Sequence, residues 1–200
     1  MVAAAEPELF DESQLYLDPL GAASPARGLG WQSPDREAGS VDYNALIAEG
    51  RQHPKIVQMI GHWRDLAPAP GVLPGRQHFD PIRIPAMLPN IWLLDVVREA
   101  RVRYRARLIG GALVDAGAPM RPGVFLDELG DRVDQKGIEA TFEAVARERE
   151  PNWRRGKPTI RHARYISNLE RVFLPFATDG KTVDLIMGFT VFYRGDGEVI

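Results

Sequence analysis

The side chains able to do chemistry are few and scattered. Four histidines, His53, His62, His78 and His162, fall in no H-E-x-x-H or other compact ligand spacing, and the chain has no cysteine. That excludes disulfides, thiolate metal sites, iron–sulfur clusters and a cysteinyl flavin adduct. The residues specify no metal site and leave the cofactor unknown; an axial histidine to a haem is the one cofactor chemistry they leave open. Ser167 is the only serine after residue 40 and stands in no G-x-S-x-G elbow, so nucleophilic catalysis lacks its parts. Neither G-x-x-x-x-G-K-[ST] nor G-x-G-x-x-G occurs, which argues against nucleotide enzymes. Asp95 interrupts the apolar run IWLLDVV. A buried carboxylate must be paired or neutralised, and the natural partners are arginines of the row Arg103, Arg105 and Arg107; a ligand-contacting carboxylate is the alternative. Asp80, between Phe79 and Pro81, is read as a turn former rather than an acid catalyst.

One charge feature is concentrated. In NWRRGKPTIRHARYI, Arg154, Arg155, Lys157, Arg161 and Arg164 gather around Trp153 and Tyr165. Basic groups interleaved with aromatics can grip an anionic ligand or nucleic acid. An edge strand guarded by its charges against sheet-to-sheet pairing explains them with less. Partner docking through Arg154, Arg155, Arg161 and Arg164 is the functional alternative. Nucleic acid ranks below both, because 25 basic against 27 acidic residues leave a net charge of −2.

The elements that must position these groups divide the chain near residue 40. At 200 residues, with 44% apolar and 26% charged side chains, the sequence has the makings of one folded unit. Residues 1–40 hold seven acidic and two basic groups among recurrent Pro and Gly, and read as a disordered acidic arm. Residues 41–70 read as N-terminal helices flanking a sheet, and 71–196 as the main domain. No apolar run approaches the roughly 20 residues of a membrane span, so a cytoplasmic protein without membrane contact is expected.

Ser40 to Gly50 has the cap and stop of a short helix, and Pro54 opens a second, with Ile56, Val57, Ile60 and Trp63 on one face. Prolines at 74, 81, 85 and 89 break the next stretch into turns. Residues 91–97 are apolar on both faces, as in a central strand, so the outer sheet surface must be covered by a movable element or a second copy. Residues 102–108 alternate between Val102, Tyr104, Ala106, Leu108 and three arginines, and pair with the preceding strand as a hairpin. A short helical turn (ALVDAG) and a loop lead to a long helix from about Asp131, with Ile138, Phe142 and Val145 on one stripe. Strands are predicted at about 157–164, 167–177 and 182–193, the last two joined through Asp179-Gly180. Strands at both ends with helices between imply an α+β fold, an antiparallel sheet crossed by helices on one face.

That order is the order of a PAS domain, and the motifs go further. FDPIRIPAMLPNIWLLDVV (Phe79 to Val97), RYRARLIGGALVDAG (Arg103 to Gly117), RPGVFLDEL (Arg121 to Leu129) and LERVFLPFATDGKTVDLIMG (Leu169 to Gly188) resemble, in family order over about residues 55–193, the bacterial single-domain PAS family called PAS_5. Gly111 stands where that pattern has Thr. The resemblance implies a five-stranded antiparallel PAS-like sheet and a sensory or interaction module in signal transduction, with no catalytic residue to carry over. Its helices and inner sheet face would enclose either packed side chains or a small pocket. The expected liners are Tyr104, Phe142, Met187 and Phe189, on the more apolar face of each element, and a buried Tyr104 hydroxyl would need a partner. The expected function is therefore non-catalytic: binding of a signalling protein, with a small-molecule ligand and a homodimer as further options. The rival is an NTF2-like α+β enzyme, which needs paired acid and base groups in its cavity; only Tyr104 and Asp95 qualify.

Overall fold

The computed structural model describes residues 52–158 and 165–200. Two strands come first, β1 (Ile91–Arg98) and β2 (Val102–Ile109), and three close the chain, β3 (Asn152–Gly156), β4 (Asn168–Phe176) and β5 (Leu185–Tyr193). They form one sheet in the order β2-β1-β5-β4-β3, with every neighbouring pair antiparallel. The helices are α1 (Pro54–Asp65), α2 (Gly111–Asp115) and α3 (Gln135–Glu148), linked by short 3-10 turns at Arg76–His78, Pro81–Arg83, Pro85–Asn90, Leu126–Glu128 and Gly130–Arg132. The expected α+β fold, a five-stranded antiparallel PAS-like sheet, is what the chain adopts. The acidic arm and the helix expected over Ser40–Gly50 lie outside the described residues.

The two longer helices, α1 and α3, start where the sequence supplies a capping side chain. Pro54 opens α1, and the His53 imidazole Nδ1 accepts from the Lys55 N–H at 3.1 Å. Ile56, Val57, Met59, Ile60 and Trp63 are its buried stripe. The stripe lies on β4 and β5, and the Trp63 indole donates to the Pro175 carbonyl at 2.8 Å. The outer face of the sheet is thus covered over β4 and β5 by the chain's own helix. Asp134 caps α3 by accepting from the Gly137 N–H at 3.3 Å. Phe142 of α3 meets Tyr104, Trp92 and Phe173 with ring centroids 5.0, 6.2 and 4.8 Å away, so α3 crosses the inner face.

The β4–β5 hairpin turns where Asp179-Gly180 predicts. The Asp179 carboxylate accepts from the N–H groups of Lys181 and Thr182 at 2.8 and 2.7 Å, and Gly180 has φ 74°. Those two amides hold the Asp179 carboxyl below its ordinary value. Asp80 forms the expected turn, accepting from the Ile82 N–H at 3.0 Å. Asp95, 9% exposed, has the expected partners: Arg105 at 3.1 Å and Arg107 at 2.7 Å.

The strand expected at 157–164 is displaced. β3 occupies Asn152–Gly156, Lys157 and Pro158 have left the sheet, and residues 159–164 lie outside the described set. Proline has no N–H to donate, which ends the ladder there. β3 is an edge of the sheet, as its charges suggest. The opposite edge, β2, is covered by the loop after α2: the Gly123 N–H donates to the Ala106 carbonyl at 2.7 Å, and the Ala106 N–H donates to the Val124 carbonyl at 2.9 Å. Arg103 reaches Asp127 with Nε at 2.8 Å and a second nitrogen at 2.7 Å while lying 3.7 Å over the Phe125 ring. That two-pronged pairing holds the Asp127 carboxyl below its ordinary range.

Candidate functional site

Parity along β1 and β5 decides what faces α3. Trp92 pairs with Gly188 across the two strands. A Cβ on Gly188 would lie 2.1 Å from the Trp92 ring, so the missing side chain is what lets the indole lie flat on the sheet. The Trp92 Nε1–H donates to the Thr190 hydroxyl at 3.1 Å, and the Thr190 carbonyl accepts from Asn90 at 2.8 Å. Gly188, Thr190 and Phe192 therefore share the inner face, and alternation sends Met187 and Phe189 to the other side.

Beyond the Trp92 ring a cavity of about 50 Å³ remains open between the sheet and its helical cover. Trp92, Leu169, Phe173, Thr190 and Phe192 line its sheet side, and Leu113, Pro119, Met120, Val133 and Ile138 cover it. The lining is apolar apart from Thr190 and two cations, Arg154 and Arg171, which face one another as a pair across β3 and β4. The Arg171 guanidinium lies 3.7 Å over the Phe173 ring and donates to the Asn152 side-chain oxygen at 3.2 Å. Burial, with Arg154 adding repulsion, pushes its pKa down to about 9, so it stays protonated at neutral pH. A second, more open hollow of about 180 Å³ lies outside the sheet between α1 and the turns at 81–87. Its cations, Lys55 and Arg83, stand beside open solvent, so the inner cavity is where a charge would discriminate most strongly.

Two of the four expected liners meet and two do not. Tyr104 and Phe142 are fully buried neighbours on the inner face, behind the cavity wall rather than on it. Met187 and Phe189 lie across the sheet, on the face that α1 covers. Among the described residues the buried Tyr104 hydroxyl has no hydrogen-bond partner, and burial first, then the charges of Glu143 and Glu139, push its pKa up to about 12. The expected arginine cluster is also divided. Arg154 lines the cavity, Arg155 faces the other way at 5.3 Å over the Tyr193 ring, and Arg161 and Arg164 lie outside the described residues. Arg171 and Glu170 are the functional-looking groups that sequence reasoning missed; their signal was a charge pair inside the buried run NLERVFLPF.

Glu170 is 0% exposed and belongs to the outer face. Its carboxylate accepts from the His53 N–H at 2.7 Å, the Trp153 indole at 2.9 Å and the Tyr193 hydroxyl at 3.1 Å. A carboxylate at the start of α1 also meets the positive end of the helix dipole. The histidines do structural work. His53 caps α1, His62 lies edge-on to Phe79 at 5.9 Å, and His78 accepts from the Gly75 N–H at 3.0 Å; His162 lies outside the described residues. Among the described residues no three His, Asp or Glu side chains gather as a metal site, and no helix is long and apolar enough to cross a membrane.

The family model for PAS_5, a PAS domain, matches residues 51–191. The chain belongs to the PAS_5 family. Its match takes in α1, the first four strands and all but the last two residues of β5, so the helix on the outer face is part of the PAS_5 unit. Domains of this kind are sensory and interaction modules, generally without catalysis. Comparison with curated proteins and with solved structures gives no match.

Proposed function

We propose that this PAS_5 protein is a non-catalytic, cytoplasmic signalling module that couples a small-molecule pocket on the inner sheet face to docking of a partner. The observation that carries it is the cavity itself. Inner faces of this architecture can be filled by side chains, yet here an apolar space is left open beside two cations. An empty apolar space forfeits dispersion contacts on every wall, and a ligand restores them. Occupancy would set the position of Leu113 on α2 and Ile138 on α3, and so the cover over the sheet. The partner is a signalling protein or a second copy of this chain, and the arm at 1–40 is a segment available for docking.

Native mass spectrometry of protein purified from its own cells tests the pocket. A retained small molecule that is released by Leu113→Trp, which fills the cavity, supports it. A clean apo mass, together with no saturable change in the Trp92 indole resonance across a screen of small neutral and charged compounds, overturns it. Light scattering with and without a bound compound tests the coupling: a change in the state of association supports it, and an unaltered mass with every partner candidate refutes docking as the output.

A further inference from the structure

Resting on the reading of the inner cavity as a ligand site, we propose that it takes a short-chain carboxylate, with the carboxyl group held by Arg171 beside Arg154 and the alkyl tail among Leu113, Met120 and Ile138. The geometry of the two cations is the starting point. β3 and β4 place them opposite one another, both on the cavity wall. Elsewhere on the sheet the three arginines of β2 come with carboxylates, Arg103 with Asp127 and Arg105 and Arg107 with Asp95, while Arg98 donates to the Val183 carbonyl at 2.7 Å and Arg155 lies over the Tyr193 ring. Among the described residues no carboxylate pairs with Arg171; its contacts are the Asn152 amide oxygen and the face of Phe173. Arg154 has a long contact of 3.4 Å to the Lys157 carbonyl.

Two like charges side by side in an apolar lining are unfavourable until an anion joins them. A guanidinium presents a planar fork of N–H groups, and a carboxylate is the anion that matches it with two parallel bonds. The burial that depresses the Arg171 pKa also strengthens its attraction for such a group. Size selects within the class. A space of about 50 Å³ holds roughly four water-sized groups, which suits acids from acetate to butyrate and excludes nucleotides and aromatic rings unless the cover opens. Cations are rejected by the same pair.

The experiment uses the full chain, with propionate and its neutral isostere propionamide as probes at constant ionic strength. The readout is the Trp92 indole N–H resonance, assigned by its loss in Trp92→Phe. Propionate is expected to shift it saturably while propionamide does not. Arg171→Met should weaken propionate about ten-fold or more, the cost of losing a charged hydrogen-bond donor, and Arg154→Gln should weaken it less. Arg171→Met removes a desolvated charge and is expected to fold; if it does not, Arg154→Gln decides. A shift with propionamide but not propionate overturns the carboxylate and leaves the pocket standing. No shift with either overturns the carboxylate, and the wider compound screen then judges the pocket. An undiminished propionate response in both arginine variants also overturns the proposal.

Discussion

At the scale of single residues, the buried groups differ in whether their polar atoms are satisfied. Glu170 accepts three hydrogen bonds with no exposed surface, whereas the Tyr104 hydroxyl, also buried, has none among the described residues. An unmade bond in the interior costs about 1–3 kcal/mol. Tyr104→Phe deletes the orphaned atom and keeps the ring against Phe142, so the variant should be more stable than the parent by about 1 kcal/mol. Urea denaturation at neutral pH measures this; a loss of stability would show that the hydroxyl has a partner in solution. Asp95 illustrates the satisfied case. Its two arginines were readable because the run IWLLDVV and the alternating arginine row are neighbours in sequence and must pair as a hairpin. The partners of Glu170 come from positions 53, 153 and 193, and nothing local in NLERVFLPF announces them.

At the scale of elements, Glu170 is what ties the start of α1 to the sheet. Replacing it by Gln keeps the shape and one oxygen for the His53 N–H and the Trp153 indole, but turns an NH2 group toward the Tyr193 hydroxyl, which must stop donating, and removes the charge that faces the helix N-terminus. Glu170→Gln should therefore lose about 2 kcal/mol of stability, with amide exchange accelerated in the first turn of α1 more than in α3. Equal protection in both helices would show that α1 is held by its apolar stripe alone. The helices, the β1–β2 hairpin and the Asp179-Gly180 turn were legible because caps, periodicity and turn residues are local signals. The faces of β5 were not. All nine of its residues are buried, so no alternation reveals which set faces α3. The parity is fixed from a distance, by the fit of Trp92 over Gly188. That is why Tyr104 and Phe142 meet on the inner face while Met187 and Phe189 oppose α1. The sequence pattern points to β3 several residues late for a related reason: its arginines read as one basic patch, but a strand sends Arg154 and Arg155 to opposite sides, and only one reaches the cavity.

At the scale of the whole molecule, the response to acid depends on which groups are harder to protonate in the folded chain. His53 and His62 both have pKa values below the ordinary 6.5, each chiefly through burial. At His53 the charge of Glu170 opposes the shift while Lys55 and Arg155 add to it; at His62 Asp65 opposes and Arg83 adds. Protonating His53 would also take away the Nδ1 lone pair that accepts from the Lys55 N–H. Below pH 6.5 the unfolded chain therefore binds protons that the folded chain resists, so stability must fall as pH drops through that value. The depressed carboxyls of Asp127 and Asp179 act in the same direction but lower, their contribution being lost only as pH falls below the ordinary 3.8. Two limbs are expected in a plot of unfolding free energy against pH, an imidazole limb and a carboxylate limb. His53→Asn retains a side chain able to cap α1, and combined with His62→Gln it should flatten the upper limb while leaving the lower one in place. A double variant that loses as much stability as the parent between pH 7 and about pH 5 would move the cause away from these two imidazoles.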